Sequence, residues 1–194
     1  NAMHSEIKRV FKQLLSRGGI IIDPDREPAA EETLHTGVLL AAIAEYGNRI
    51  GAQHLDNGLS EQFLNLNWVR EECMQLRDLF LELADIPQAD ITAALTPALQ
   101  EALLGLMRSG ELKQLTREAR LERKQLLKRL RRQRRAELLE QIGSGLLSAP
   151  EATRRLHVVA LLEDSAKRIL HIAEVIYPQA ASAENNEPAP AEAR

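Results

Sequence analysis

Cysteine and aromatic residues are what this chain lacks most. Cys73 is its single thiol in 194 residues, and aromatic side chains make up 3%. One thiol excludes an internal disulfide and a multi-cysteine metal site, and it agrees with a reducing compartment. Cys73 falls on an apolar helical face and reads as a small core residue. With so few rings, Leu, Ala and Ile must build the core of a chain that is 44% hydrophobic, a composition that suits helix bundles better than sandwiches. Alternating β-branched runs are nearly absent; Ile20-Ile21-Ile22 is the exception. No apolar run approaches the ~20 residues of a membrane span, and no secretory signal is present, so a soluble chain is expected. Glycine-rich phosphate loops, Gly-x-Ser-x-Gly, His-Glu-x-x-His and a readable Cys/His dyad are all missing. His35 and His54 sit near opposite ends of one predicted helix and cannot meet by themselves. The expectation is a protein without catalytic residues and without a cofactor.

Charge is present and unevenly spread. The formal net charge is −3, yet residues 112–135 hold eleven Lys and Arg against Glu118 and Glu122, a local +9, which leaves about −12 elsewhere. A basic segment of this density points to nucleic acid, anionic lipid head groups or an acidic partner. The plainer reading is a solvated helix neutralised by acids such as Glu71, Glu72, Asp78, Glu82 and Asp85 on a neighbour. No aromatics interleave with the cations, which disfavours stacking on single strands. No helix-turn-helix or zinc-finger pattern accompanies them, which disfavours sequence-specific DNA binding.

The remaining pattern is helical throughout. Asn1-Ala2 reads as a cleaved-tag remnant (residues 1–3), and Met3 is either a native start or an internal residue. Residues 4–30 read as an amphipathic helix, Ser5 to Arg17, followed by a linker. Ile7, Val10, Phe11, Leu14 and Leu15 form its apolar face, and Gly18-Gly19 ends it. That helix either packs on a bundle or lies on an anionic bilayer. Asp23-Pro24-Asp25 is a turn signal. Residues 31–178 read as one bundle. Its first helix runs from Glu31 to about Gln53, Asp56-Asn57-Gly58 makes a turn, and a helix from Ser60 to Ala84 completes an antiparallel hairpin. Asp90 to Arg108 is helical with a kink or restart at Thr96-Pro97, and Ser109-Gly110 turns it. Glu111 to Ile142 reads as one helix about 48 Å long at 1.5 Å per residue, with a narrow stripe of Leu112, Leu115, Leu126, Leu127, Leu130 and Leu138. The fold class expected is therefore an all-α, up-down bundle of about six helices. Residues 179–194, rich in Ala, Glu, Asn and Pro, read as a disordered tail.

The last helix, Ala149 to Pro178, carries Val158, Leu162, Ile169, Ile172 and Ile176 on one face, and Ser148 with Glu151 forms a capping box ahead of it. Its run of Leu161, Leu162, Asp164, Lys167, Arg168, His171, Tyr177 and Pro178, together with the preceding RRQRRAELLEQIGSGLLSAPEA, resembles the closing helices of PhoU-like domains. The likeness is to the cytoplasmic domain that follows the membrane part of bacterial sodium/phosphate cotransporter-like proteins, and it covers roughly residues 131–178. It implies a PhoU-like bundle on the cytoplasmic side of the inner membrane. It also implies regulation of phosphate or anion transport without chemistry of its own.

Two sets of site residues follow. Some members of that family hold iron or zinc clusters, which would make Asp164, His171 and Glu174 the metal candidates. The family's metal run places an acid before the His, however, and here Leu170 stands there, so no metal is expected. Arg131, Arg132, Arg134 and Arg135 would contact a membrane transporter domain, lipid head groups or an acidic partner. Two alternatives use the same helix: a nucleic-acid-associated protein, and a homodimeric scaffold pairing through Leu126, Leu130 and Leu138.

Overall fold

The computed structural model describes residues 2–25, 36–51 and 57–178. Among them the protein is an all-α bundle of eight helices, two more than the periodicity suggests. They are α1 (Ala2–Ile22), α2 (Thr36–Gly51), α3 (Asn57–Ala84), α4 (Gln88–Ala94), α5 (Pro97–Met107), α6 (Ser109–Gln114), α7 (Arg117–Gly143) and α8 (Ala149–Ile176). The expected helix start at Glu31, the residues around Asp56, His35, His54 and the tail from 179 lie outside the described residues.

The two additional helices arise at breaks. Thr96 caps α5 by accepting a hydrogen bond from the Leu99 amide at 3.3 Å, and Pro97 occupies the first turn, so the kink becomes a restart. The helix expected from Glu111 to Ile142 is interrupted at Leu115-Thr116. There the backbone is extended, and the Thr116 hydroxyl accepts from the Ala119 amide at 3.1 Å. Ser109-Gly110 opens α6 instead of forming a turn. Asn57-Gly58, expected in a turn, likewise lies inside α3, which begins ahead of the expected start at Ser60. The capping box of Ser148 and Glu151 forms as expected, with both reciprocal hydrogen bonds present.

Gly18-Gly19 does not stop α1, and Ile20 to Ile22 are helical. A side chain at Gly18 would come within 2.5 Å of the Phe80 ring and 2.9 Å of the Met107 sulfur. The glycine is there because α1 packs too closely to admit a Cβ, not because the helix ends. Ile7, Val10, Phe11, Leu14 and Leu15 are fully buried. They share one core with Leu76, Phe80 and Leu83 of α3, Leu103 and Leu106 of α5, and Leu162, Ile169 and Ile172 of α8. The apolar face of α1 is thus inside the protein and cannot lie on a bilayer, and the division expected at residue 30 does not divide the core.

α2 and α3 run antiparallel, with Gly37 beside Arg77 and Gly47 beside Phe63. α3 packs on α8 and α1, whereas α7 packs on α8 and α5. α7 and α8 form a long hairpin closed by Gly145, whose φ of 70° needs no Cβ. Past the main core this hairpin has a small apolar cluster of its own, Leu138, Leu147 and Ala152, with Ile142 and Leu156 against it.

Candidate functional site

The basic helix divides by angle. At about 100° per residue, Arg120, Leu127, Arg134 and Leu138 fall within one narrow sector, which faces the body of the protein. Leu121, Lys128, Arg132, Arg135 and Leu139 fall within a sector about 60° wide on another side. The two sectors hold the same residue types and do different things.

Arg134 is 8% exposed. Its Nε donates to the Ala94 carbonyl at 2.9 Å and its Nη2 to the Ala93 carbonyl at 2.7 Å, while Nη1 reaches Glu137 at 3.1 Å. The carbonyls at the end of α4 have no intrahelical partners, and a planar guanidinium satisfies two at once while placing its charge at the negative end of that helix. Arg120 is 5% exposed and donates from Nη2 to the Tyr177 carbonyl at 2.9 Å, holding the end of α8. Arg134, expected to contact a partner, is therefore a buried structural residue. Its bonds leave no guanidinium face for an external anion.

Arg131 is half-buried and pairs with Glu163 of α8. Lys167 joins the same carboxylate at 3.0 Å and Asp164 at 3.3 Å; these bonds, Glu163 first, raise its pKa above the usual lysine value. Arg123 pairs with Glu111 at 3.4 Å. The acids that meet the basic helix thus come from α6 and α8. Of the acids expected to meet it, Glu72 pairs instead with Arg168 at 2.9 Å and Glu82 with His157 at 2.9 Å, while Glu71 and Asp78 pair with Arg70 and Arg77 beside them.

Arg132 and Arg135 remain exposed, as do Lys124, Lys128 and Arg129, and none of the five forms an ion pair with the described residues. Beside them Leu121 is 56% and Leu139 52% exposed. Leu138 is buried and Leu130 packs on the main core, so two of the three leucines expected to pair with a second chain are used within this one.

A cleft of about 380 Å³ opens between α5, α7 and α8. Leu99, Leu103, Leu127, Val159, Leu162, Ala166 and Leu170 give it an apolar lining, and Lys124, Lys128, Arg131 and Lys167 stand among the residues at its wall, with Glu163 their one acid. Sequence reasoning missed this cleft. Its floor comes from three helices, so no local pattern announces it; only the four-residue spacing of Lys124 and Lys128 was visible.

The three metal candidates do not converge. Asp164 is exposed and bonded to Lys167, Glu174 is exposed, and His171 lies against Trp68 with ring centroids 6.4 Å apart. Among the described residues no group of three His, Cys, Asp or Glu is arranged to hold a metal ion. Cys73 is buried, and desolvation pushes its thiol up to about 12. Among the described residues no helix is long and apolar enough to cross a membrane. No protein-family model matches the chain, and neither a curated protein nor a solved structure matches it.

Proposed function

We propose that this chain is a non-catalytic helical interaction domain that works against an anionic membrane surface through the outer face of α7. The observation that carries this is the exposed sector holding Lys128, Arg132 and Arg135 between Leu121 and Leu139. Exposed cations without protein partners attract anionic head groups, each contributing about 1 kcal/mol near such a surface. Leucines at both ends of the same sector add apolar contact at the acyl boundary. The resemblance of residues 131–178 to PhoU-like domains supplies the setting. In this reading the domain is the cytoplasmic regulatory part of a sodium/phosphate cotransporter-like membrane protein, or acts on one, and its attachment to the bilayer tracks the state of the transporter.

Co-sedimentation with vesicles tests the reading. The protein should bind vesicles containing phosphatidylglycerol, bind phosphatidylcholine alone weakly, and release as salt is raised. Arg132→Glu with Arg135→Glu should abolish binding, and Leu121→Ala with Leu139→Ala should weaken it. Equal binding to neutral vesicles would refute it. Salt-dependent binding to random-sequence duplex DNA, lost in the same charge-reversed variant and without vesicle binding, would assign the face to nucleic acid.

A further inference from the structure

We infer that the cleft between α5, α7 and α8 binds a small amphipathic anion, with an apolar body and one acidic head group. The volume of about 380 Å³ lies within the ~300–1,000 Å³ of small-molecule sites, which are mostly apolar with a few placed polar groups. The polar groups here are not equivalent. Arg131 and Lys167 both bind Glu163. Lys124 and Lys128, one turn apart on α7, line the same cleft with no ion pair to the described residues.

The hairpin register fixes where the head group sits. Arg120 meets Tyr177 and Arg131 meets Glu163, so the antiparallel pairing sets Lys124 and Lys128 between those two levels, alongside the stretch of α8 that holds Ala166 and Leu170. An acidic head there lies between two uncommitted ammonium groups, and the body points at Leu99, Leu103 and Leu162. Glu163 takes up Arg131 and Lys167, so only the two lysines are left for a ligand, which matches a single acidic head. A neutral apolar molecule would leave both lysines unused. A free inorganic anion would leave the apolar lining empty.

Calorimetric titration of the intact protein with decanoate, below its micelle concentration, tests this. One-to-one binding is expected, at least tenfold weaker for the neutral alcohol of the same length, with no heat from inorganic phosphate. Lys124→Glu with Lys128→Glu, both exposed and safe for folding, should weaken decanoate at least tenfold. Ala166→Phe, which fills the cleft, should remove binding while thermal melting confirms a folded protein. Absence of decanoate binding, or binding unchanged in the charge-reversed double variant, overturns the proposal. Vesicle binding by Ala166→Phe identifies the source of the anion. If it is retained, the occupant is a free amphiphile and the outer face of α7 acts separately. If it is lost together with decanoate binding, the occupant is an acyl chain of the bilayer.

Discussion

The inner and outer edges of α7 both carry arginine and leucine and do opposite work. On the inner edge Arg120 and Arg134 are 5% and 8% exposed and bond backbone carbonyls at the ends of α8 and α4. On the outer edge Arg132 and Arg135 are exposed and bond none of the described residues. Charge density alone says nothing about which cations a fold keeps for itself. Here the deciding variable is the angle around the helix: the inner arginines alternate with Leu127 and Leu138 on the buried stripe, and the outer ones do not.

The sharpest way to break this comparison is to remove each edge in turn. Arg134→Ala should cost about 2–3 kcal/mol, because it strands two carbonyls at the end of α4 and leaves a void; urea denaturation reads it. Lysine should not rescue it, since a single ammonium cannot reproduce the planar fork. Arg120→Ala should cost about 1–2 kcal/mol, because one bond is lost and the Arg120 Nε already lacks a partner. Arg132→Ala or Arg135→Ala should change stability by less than about 0.5 kcal/mol, while each lowers affinity for phosphatidylglycerol vesicles by roughly fivefold. Equal stability losses at the two edges would end the distinction.

Cys73 offers an independent readout. Its thiol is buried and shifted up to about 12, so a thiol reagent should label it only through unfolding. Labelling should quicken in Arg134→Ala and stay unchanged in the outer-edge variants. The smallest expected effect lies off α7 altogether. Burial, followed by repulsion from Lys8, holds His4 below its ordinary 6.5 despite a backbone hydrogen bond at Ile176. The unfolded chain therefore takes up this proton first. The contribution of neutral His4 is complete above pH 6.5 and falls away as the pH drops through the lowered folded value. His4→Gln should flatten that part of the stability profile, measured by melting from pH 8 to 5.

Legibility followed the range of the signal. The Ser148-Glu151 capping box was readable because it stands ahead of a periodic run, whereas the Thr116 cap, with the same three-residue reach, was not because it falls inside one. The apolar faces of α1 and α8 were readable because apolar residues recur there at helical spacing. Gly18-Gly19 was misread because glycine marks both a helix end and a close helix crossing, and only Phe80 and Met107, far along the chain, decide between them. The seven-residue spacing of Arg120, Leu127 and Arg134 was available and would have placed those arginines on the buried stripe. What their guanidinium groups bond was not, since the partners belong to α4 and to the end of α8. The cleft was illegible for the same reason, being a gap between three elements.

The separate cluster at the tip of the α7–α8 hairpin has a practical consequence. Leu138, Leu147 and Ala152 are sealed off from the main core, and Gly145 has no neighbour within 4 Å of a would-be side chain. The tip can open and reclose without disturbing the rest, so its amides should exchange with solvent well ahead of those in α3. The same independence makes Leu146, 80% exposed beside Gly145, a place to attach a fluorescent label that leaves both edges of α7 and the cleft untouched.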